Sequence, residues 1–182
     1  MVAAGSSDTV IRPAAPSDYA AIGTLLVSAY GNLPGMPGPD IQPEYFAMLR
    51  DVASRAAKPS LTVWVAADAT GRILGSIDYI ADMADYGVPA VAHIRDASGV
   101  RLLAVDPATQ GQGIGKALML HCIEVARADG RNQLLLHTTK AMMTAWAMYE
   151  RLGFKPMPLL DFQRNGLEIF GFALPLTPTR PA

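Results

Sequence analysis

Val100 to Gly130 read VRLLAVDPATQGQGIGKALMLHCIEVARADG, and this stretch decides the fold. Val100-Arg101-Leu102-Leu103-Ala104-Val105 is a mostly aliphatic run of strand character that stops at Asp106-Pro107, because proline cannot continue a central ladder. From Gly113 to Asp129 the apolar residues Ile114, Ala117, Leu118, Cys122, Val125 and Ala126 recur at helical spacing, which predicts a helix ended by Gly130. The unit is strand, glycine loop, helix. Such a junction offers unpaired backbone N–H groups at the positive end of a helix, and glycine lets the backbone come close to an anion. A phosphate suits Gln110-Gly111-Gln112-Gly113-Ile114-Gly115-Lys116.

Two common phosphate loops do not fit. A P-loop needs glycine at 110 and Ser or Thr at 117; the chain has Gln110 and Ala117, so the magnesium-binding hydroxyl is missing. A dinucleotide fingerprint needs a third glycine where Lys116 stands and an acidic residue about twenty positions on, near Leu136.

Composition narrows the class further. The 182 residues carry 15 basic and 16 acidic side chains, a net charge of -1, so no global positive field exists to hold a nucleic-acid backbone. A hydrophobic content of 51% suffices for one core, and a single domain over residues 1–182 is expected, with no metal or disulfide staple. Cys122, the single cysteine, falls on the apolar side of the helical pattern, as a core residue in a reducing compartment would. Met1 to Asp8 lacks a basic leader region and no apolar run reaches about 18 residues, so neither leader nor membrane span is expected and the chain reads as cytoplasmic.

Outward from the glycine loop, Leu61 to Ala67 and Ile73 to Ile80 are β-branched and aromatic runs joined by Asp68-Ala69-Thr70-Gly71, which predicts a hairpin. Thr9 to Arg12, closed by Pro13, predicts an edge strand; Pro16-Ser17-Asp18 offers a cap for a helix from Tyr19 to about Tyr30. Gly31 to Gln42 is a Pro/Gly loop, and a second helix runs from Pro43 to about Ala57. Ala81 to Gly99 shows no regular pattern. Downstream, a strand over Gln133 to His137, a helix over Thr144 to Leu152 ended by Gly153, and strands at Phe154-Lys155 and Leu167 to Leu174 complete the reading.

The loop residues Gln110, Gly113 and Gly115 match the Arg/Gln-x-x-Gly-x-Gly/Ala pattern of the GNAT superfamily of acyl-CoA N-acyltransferases. The resemblance extends to Leu103-Ala104-Val105-Asp106-Pro107, similar to the family's fourth strand, and to Ala145 through Phe154, which resembles its helix ending in a Leu-Gly-Phe corner. Ile11-Arg12-Pro13-Ala14 with Ser17-Asp18 is similar to its first strand and helix start, so the likeness covers residues 9–174. It implies an α/β fold with a mixed, mostly antiparallel sheet of about six to seven strands flanked by about four helices. It also implies an acetyl-CoA-dependent N-acetyltransferase in which an amine of a small molecule or protein attacks the thioester directly, without a metal. The partners implied are acetyl-CoA and the amine, with a homodimer as the candidate assembly and neither nucleic acid nor membrane.

Residue by residue, the resemblance implies that Gln110, Gly111, Gln112, Gly113, Ile114, Gly115 and Lys116 hold the CoA pyrophosphate. A backbone N–H near Leu103, Ala104 or Val105 would hold the thioester oxygen, Ala145 would line the cofactor, and Tyr149 would be the general acid toward sulfur. Two departures stand out. Met142 occupies the place of an asparagine that often contacts the pantetheine arm, leaving Thr138 or Thr139 as replacements. Ser98, Gly99 and Val100 stand where many members carry a glutamate base, so Asp78, His93 and Asp96 are the available substitutes; His93 ranks first because histidine titrates nearest neutrality. The acceptor should enter between the Gly31 to Gln42 loop and the Ala81 to Gly99 segment. Asp78, Asp82 and Asp85 there suggest a cationic acceptor. The alternative reading is a catalytically idle acyl-CoA-binding module with a regulatory role.

Overall fold

The computed structural model describes residues 9–176; residues 1–8, on which the expectation of no leader rests, lie outside them. The hairpin forms where the sequence predicts: β2 (Leu61–Ala67) and β3 (Ile73–Ile80) pair antiparallel, and Asp68 Oδ1 accepts hydrogen bonds from the Thr70 and Arg72 amides inside the turn. β1 (Val10–Pro13) joins β2 as the edge strand, and β4 (Ala97–Val105) joins the other side of β3. β5 (Gln133–Thr138) runs parallel to β4, while β8 (Leu167–Pro175) runs antiparallel to β5. Two short strands, β6 (Lys155–Pro156) and β7 (Phe162–Arg164), share the outer edge of β8. The order is β1-β2-β3-β4-β5-β8-β6, with β7 beside β8.

This is the mixed, mostly antiparallel sheet expected, with one strand and one helix more than foreseen. The added strand is β7, joined to β8 by Asn165-Gly166, both at positive φ, the two-residue turn whose twist matches a hairpin. The added helix arises at Asp51. Its φ of −83° and ψ of 68° interrupt the segment, and its carboxylate accepts from the Ser54 amide at 3.1 Å, so one helix becomes α2 (Pro43–Arg50) and α3 (Val52–Ala56). α1 (Tyr19–Gly31) precedes them. Asp18 does not cap it through the helix amides; its carboxylate takes Arg12 at 2.6 Å and the Ala15 amide at 2.7 Å, tying β1 to the helix start. The patternless 81–99 segment holds two 3-10 turns, Met83–Asp85 and Pro89–Val91.

Each face of the sheet has its own apolar layer. α1 to α3 cover one, where Ile22, Leu26, Phe46 and Leu49 are sealed from solvent; α4 (Ile114–Ala128) and α5 (Met143–Arg151) cover the other with Leu118, Met119 and Cys122. Cys122 is a core residue, and burial pushes its thiol far above the ordinary range, which keeps it protonated and inert.

Two irregularities mark β4. Its parallel pairing with β5 holds only over Ala97/Gln133, Ser98/Leu134 and Gly99/Leu135, after which the strands part. Opposite Ile77 the register with β3 slips by one, and Leu102 adopts a φ of 54°. This is a β-bulge, which leaves two consecutive side chains on one face. Arg101 and Leu102 both turn toward the α1–α2 side.

Under that side, Arg55 Nε donates to Asp78 Oδ2 at 2.8 Å, with side-chain exposures of 9% and 3%, and Arg55 Nη1 also donates to the Met48 and Leu49 carbonyls. Removing one partner of a buried pair leaves an uncompensated charge. Asp78→Ala is therefore expected to lower unfolding free energy by about 3–5 kcal/mol, measured by urea titration; a loss under about 1 kcal/mol would mean that water reaches Arg55.

Candidate active site

The glycine loop leaves β4 through Asp106, whose carboxylate accepts from the Ala108 amide at 2.9 Å and from Arg72 at 2.5 Å. Those two bonds, the amide first, hold its carboxyl below the usual range. After the turn Pro107–Thr109 the chain reaches Gly113, the residue before α4, at a φ of 82° that a side chain with a Cβ adopts only under strain. The amides of Gly111, Gly113, Ile114, Gly115 and Lys116 donate to no acceptor among the described residues, and Gln110, Gly111, Gln112, Gly113 and Lys116 are exposed. The loop packs on β4: a Cβ on Gly115 would stand 3.3 Å from Val105 and 3.9 Å from Leu103. Five free amides, a helix N-terminus and open space above Gly113 fit a pyrophosphate.

Beyond Gly99 the β5-facing edge of β4 carries no ladder pairs, so backbone groups of the Leu103 to Val105 stretch border the gap between the strands. Tyr30 Oη donates to the Leu103 carbonyl at 3.4 Å. On the α5 side, Tyr149 is 6% exposed, and its ring lies 5.9 Å from that of Phe154, while no hydrogen bond holds its hydroxyl among the described residues. Burial pushes the Tyr149 phenol far up, so it is protonated at neutral pH. The phenols of Tyr30, Tyr86 and Tyr149 are close enough that ionising one opposes ionising the next. Ala145 is half-buried on the same helix. Thr138 and Thr139 are buried at the end of β5, with hydroxyls engaged locally: Thr138 donates to Met142 sulfur at 3.6 Å and Thr139 accepts from the Ala141 amide at 3.2 Å.

A cleft partly open to solvent lies against this gap. The Gly31–Gln42 loop reaches it through Met36 and Gln42, and the 81–99 segment through Tyr86 and Val88, as the sequence suggests. Its remaining wall comes from Tyr30 on α1, Tyr45 on α2, the β4 bulge, the stretch from His137 to Met142, and β7 and β8.

The residues that sequence reasoning favoured as bases, His93, Asp78 and Asp96, and those it favoured as an acidic acceptor pocket, Asp78, Asp82 and Asp85, are elsewhere. His93 is exposed after the Pro89–Val91 turn and does not line the cleft; the turn ends there and directs its side chain outward. Asp96 is exposed beside Asn132, Asp82 caps its turn through the Ala84 amide, Asp85 accepts from Ser60 at 2.5 Å, and Asp78 is bound to Arg55. None of these lines the cleft.

The cleft contains a different pair. A Cβ on Gly99 would stand 2.5 Å from Tyr86 ring carbons, so the ring lies over one of the positions at which the resemblance would place a glutamate. Tyr86 Oη is 2.9 Å from His137 Nδ1, and His137 Nε2 is 3.0 Å from the Leu160 carbonyl. A carbonyl can only accept, so Nε2 carries the proton and Nδ1 accepts from Tyr86. Burial, the larger cause, and nearby arginines push the imidazole below its usual value, against opposing influences from the Leu160 bond and Asp161. Neither residue had a sequence signal: they are 51 positions apart and meet only in the fold.

The architecture is that of the acyl-CoA N-acyltransferases, with a loop at a helix N-terminus beside two parted parallel strands. The Acetyltransferase (GNAT) family model matches residues 20–154, and the chain belongs to that family. It is similar to a glucosamine 6-phosphate N-acetyltransferase from Trypanosoma brucei brucei, 36% identical over 87 residues, 47% of this chain and 53% of that protein. A mycothiol acetyltransferase from Arthrobacter sp. (strain FB24) is 33% identical over 116 residues, 62% of this chain and 34% of that protein. The matches thus span about half or less of these curated relatives. Among solved structures, a GNAT-family acetyltransferase from Staphylococcus aureus Mu50 superposes with a TM-score of 0.71 at 18% identity, covering 93% of this chain and 99% of that one. A putative acetyltransferase from Salmonella typhimurium with its cofactor acetyl-CoA gives a TM-score of 0.64 at 18% identity, covering 95% and 96%. Likeness at this identity establishes the fold.

Gly113→Val should fold, because nothing stands within 4 Å of the added Cβ, but with about 1–2 kcal/mol of backbone strain. Calorimetric titration with CoA should show affinity reduced on the order of tenfold or more as the branched side chain blocks close approach; unchanged affinity would remove the loop from CoA binding.

Proposed function

We propose that the protein, as a single acetyltransferase domain, transfers the acetyl group of acetyl-CoA to a primary amine by direct attack on the thioester. The observation that carries this reading is the parting of β4 from β5 after Gly99 and Leu135, beside five free amides at the start of α4. The name of the Trypanosoma relative, a glucosamine 6-phosphate N-acetyltransferase, and the acetyl-CoA in the Salmonella structure support the same chemistry. Acetyl-CoA supplies an activated acyl group.

The chain's own part is binding, orientation and proton movement. Residues 110–116 take the pyrophosphate, and backbone N–H groups of the Leu103 to Val105 stretch are the donors available to a carbonyl oxygen. Tyr149, protonated and with a free hydroxyl, is the general acid for the departing sulfur. In place of a carboxylate on β4, the base is Tyr86 acting with His137: Tyr86 Oη takes the ammonium proton, directly or through one water, as its own proton passes to His137 Nδ1. The result is a neutral amine and an imidazolium whose Nε2–H still faces the Leu160 carbonyl.

Thiol release from acetyl-CoA in the presence of an amine panel tests the reading; tight CoA binding without turnover would instead mark an idle acyl-CoA-binding module. Tyr149→Phe is expected to lower kcat on the order of 10²-fold with the KM for acetyl-CoA unchanged, and full activity at neutral pH would reduce Tyr149 to a packing role. Because the His137 imidazole titrates below its usual value, kcat/KM for the amine should hold until the pH falls beneath the ordinary histidine range and then decline. In His137→Gln that limb should disappear along with most of the rate; an unaltered profile would exclude the relay.

A further inference from the structure

The β4 bulge sends Arg101 and Leu102 to the same side of the sheet, into the cleft. Arg101 is firmly placed. Its Nη1 donates to the Tyr86 carbonyl at 2.6 Å, its guanidinium carbon lies 5.6 Å from the Tyr86 ring centre, and Nη1 fills the space where a Cβ on Gly87 would stand, 2.8 Å away. Its other N–H groups have no partner among the described residues. The carboxylate that faces it across the ladder, Asp78, is already engaged by Arg55 at 2.8 Å. A second guanidinium, that of Arg164 on β7, lies 5.4 Å from the Phe162 ring centre at the opposite wall. None of the four ion pairs among the described residues includes Arg101 or Arg164. Their charge is felt throughout the cleft: Arg101 acts on Tyr30, Tyr45, Tyr86 and His137, and Arg164 on Tyr45 and His137. The acidic residues that suggested a cationic acceptor are absent from this wall.

Resting on the acetyl-transfer reading above, we propose that the acceptor is a small amine bearing an anionic group, a carboxylate or a phosphate, which Arg101 grips in the cleft and Arg164 meets from the opposite side. A guanidinium with one N–H fixed to the backbone and the rest free presents a planar fork to an oxyanion. An anion there satisfies donors that the protein leaves unmet, whereas a second cation would face two uncompensated positive charges. The same charges disfavour the ammonium form, so the site that holds the anion also eases loss of the amine proton.

The test has a kinetic arm and a binding arm. In the first, L-amino acids are compared with their amides, and glucosamine 6-phosphate with glucosamine, by kcat/KM. One or both anionic members should be preferred on the order of 10-fold to 100-fold, the worth of one charge-assisted hydrogen bond, and which pair responds separates carboxylate from phosphate. Arg101→Gln should collapse that preference, cutting kcat/KM for the anionic member on the order of 10-fold more than for its uncharged partner, and Arg101→Lys should restore part of it, which a merely structural role for Arg101 would not do. In the binding arm, N-acetyl-L-amino acids, their amides, N-acetylglucosamine 6-phosphate and N-acetylglucosamine are titrated into the protein saturated with CoA. Turnover with no preference for an anion, or a preference for the neutral or a dicationic amine, would overturn this inference and leave acetyl transfer standing. Absence of turnover together with Arg101-dependent binding of the anionic ligands would do the reverse. Absence of both would end both readings.

Discussion

Two neighbouring strands that run in the same direction hold each other over only three residue pairs, and most of what this protein can do depends on that short ladder. Had β4 and β5 stayed paired to their ends, the edge of β4 would be consumed by hydrogen bonds and its backbone would offer nothing to a ligand. The parting is sustained from both sides. The bulge at Leu102 slips β4 against β3, and the apolar layer beneath α4 and α5 packs on β4, β5 and β8 together, so the two strands are held by the helices where their ladder ends. The gap is a product of packing on two faces rather than of a missing residue.

The interior beside the gap is held by a network of buried polar groups, in which Arg55 Nη2 and Ser98 Oγ keep no hydrogen-bond partner among the described residues. Arg55 and Asp78 neutralise one another, Arg101 is anchored to a carbonyl, and His137 spans Tyr86 and Leu160 through both ring nitrogens. These bonds join α3, β3, the turn at Met83–Asp85, β4, β5 and the segment before β7, which are distant in sequence. A buried network of this kind favours one arrangement of its members, because a half-satisfied alternative leaves a charge or a donor without a partner.

The fold was legible where a pattern is local. Strand, glycine loop and helix at 100–130, the hairpin at 61–80 and the helix ending at Gly153 follow from periodicity and from turn residues, and the structure has them within a few positions. Asp51 hid because its capping bond lies inside an otherwise helical run, and β7 hid although Asn165-Gly166 is a strong hairpin signal. The candidate site was legible on the side that a loop builds and illegible on the side that the fold builds. Nothing in the run Val100 to Val105 reveals that two successive side chains share a face, although an arginine within an aliphatic strand was a clue. His93 and His137 look alike as letters; the first ends a surface turn and the second lies between a tyrosine and a carbonyl.

The ring of Tyr86 over Gly99 has a consequence for how such a chain can diverge. A side chain at 99 and an aromatic ring at 86 compete for one volume, since even a Cβ would stand 2.5 Å from the ring. A carboxylate side chain on the strand at 99 and a phenol laid across it exclude one another unless one of them moves or shrinks, so the residues that fit at 99 depend on the residue at 86.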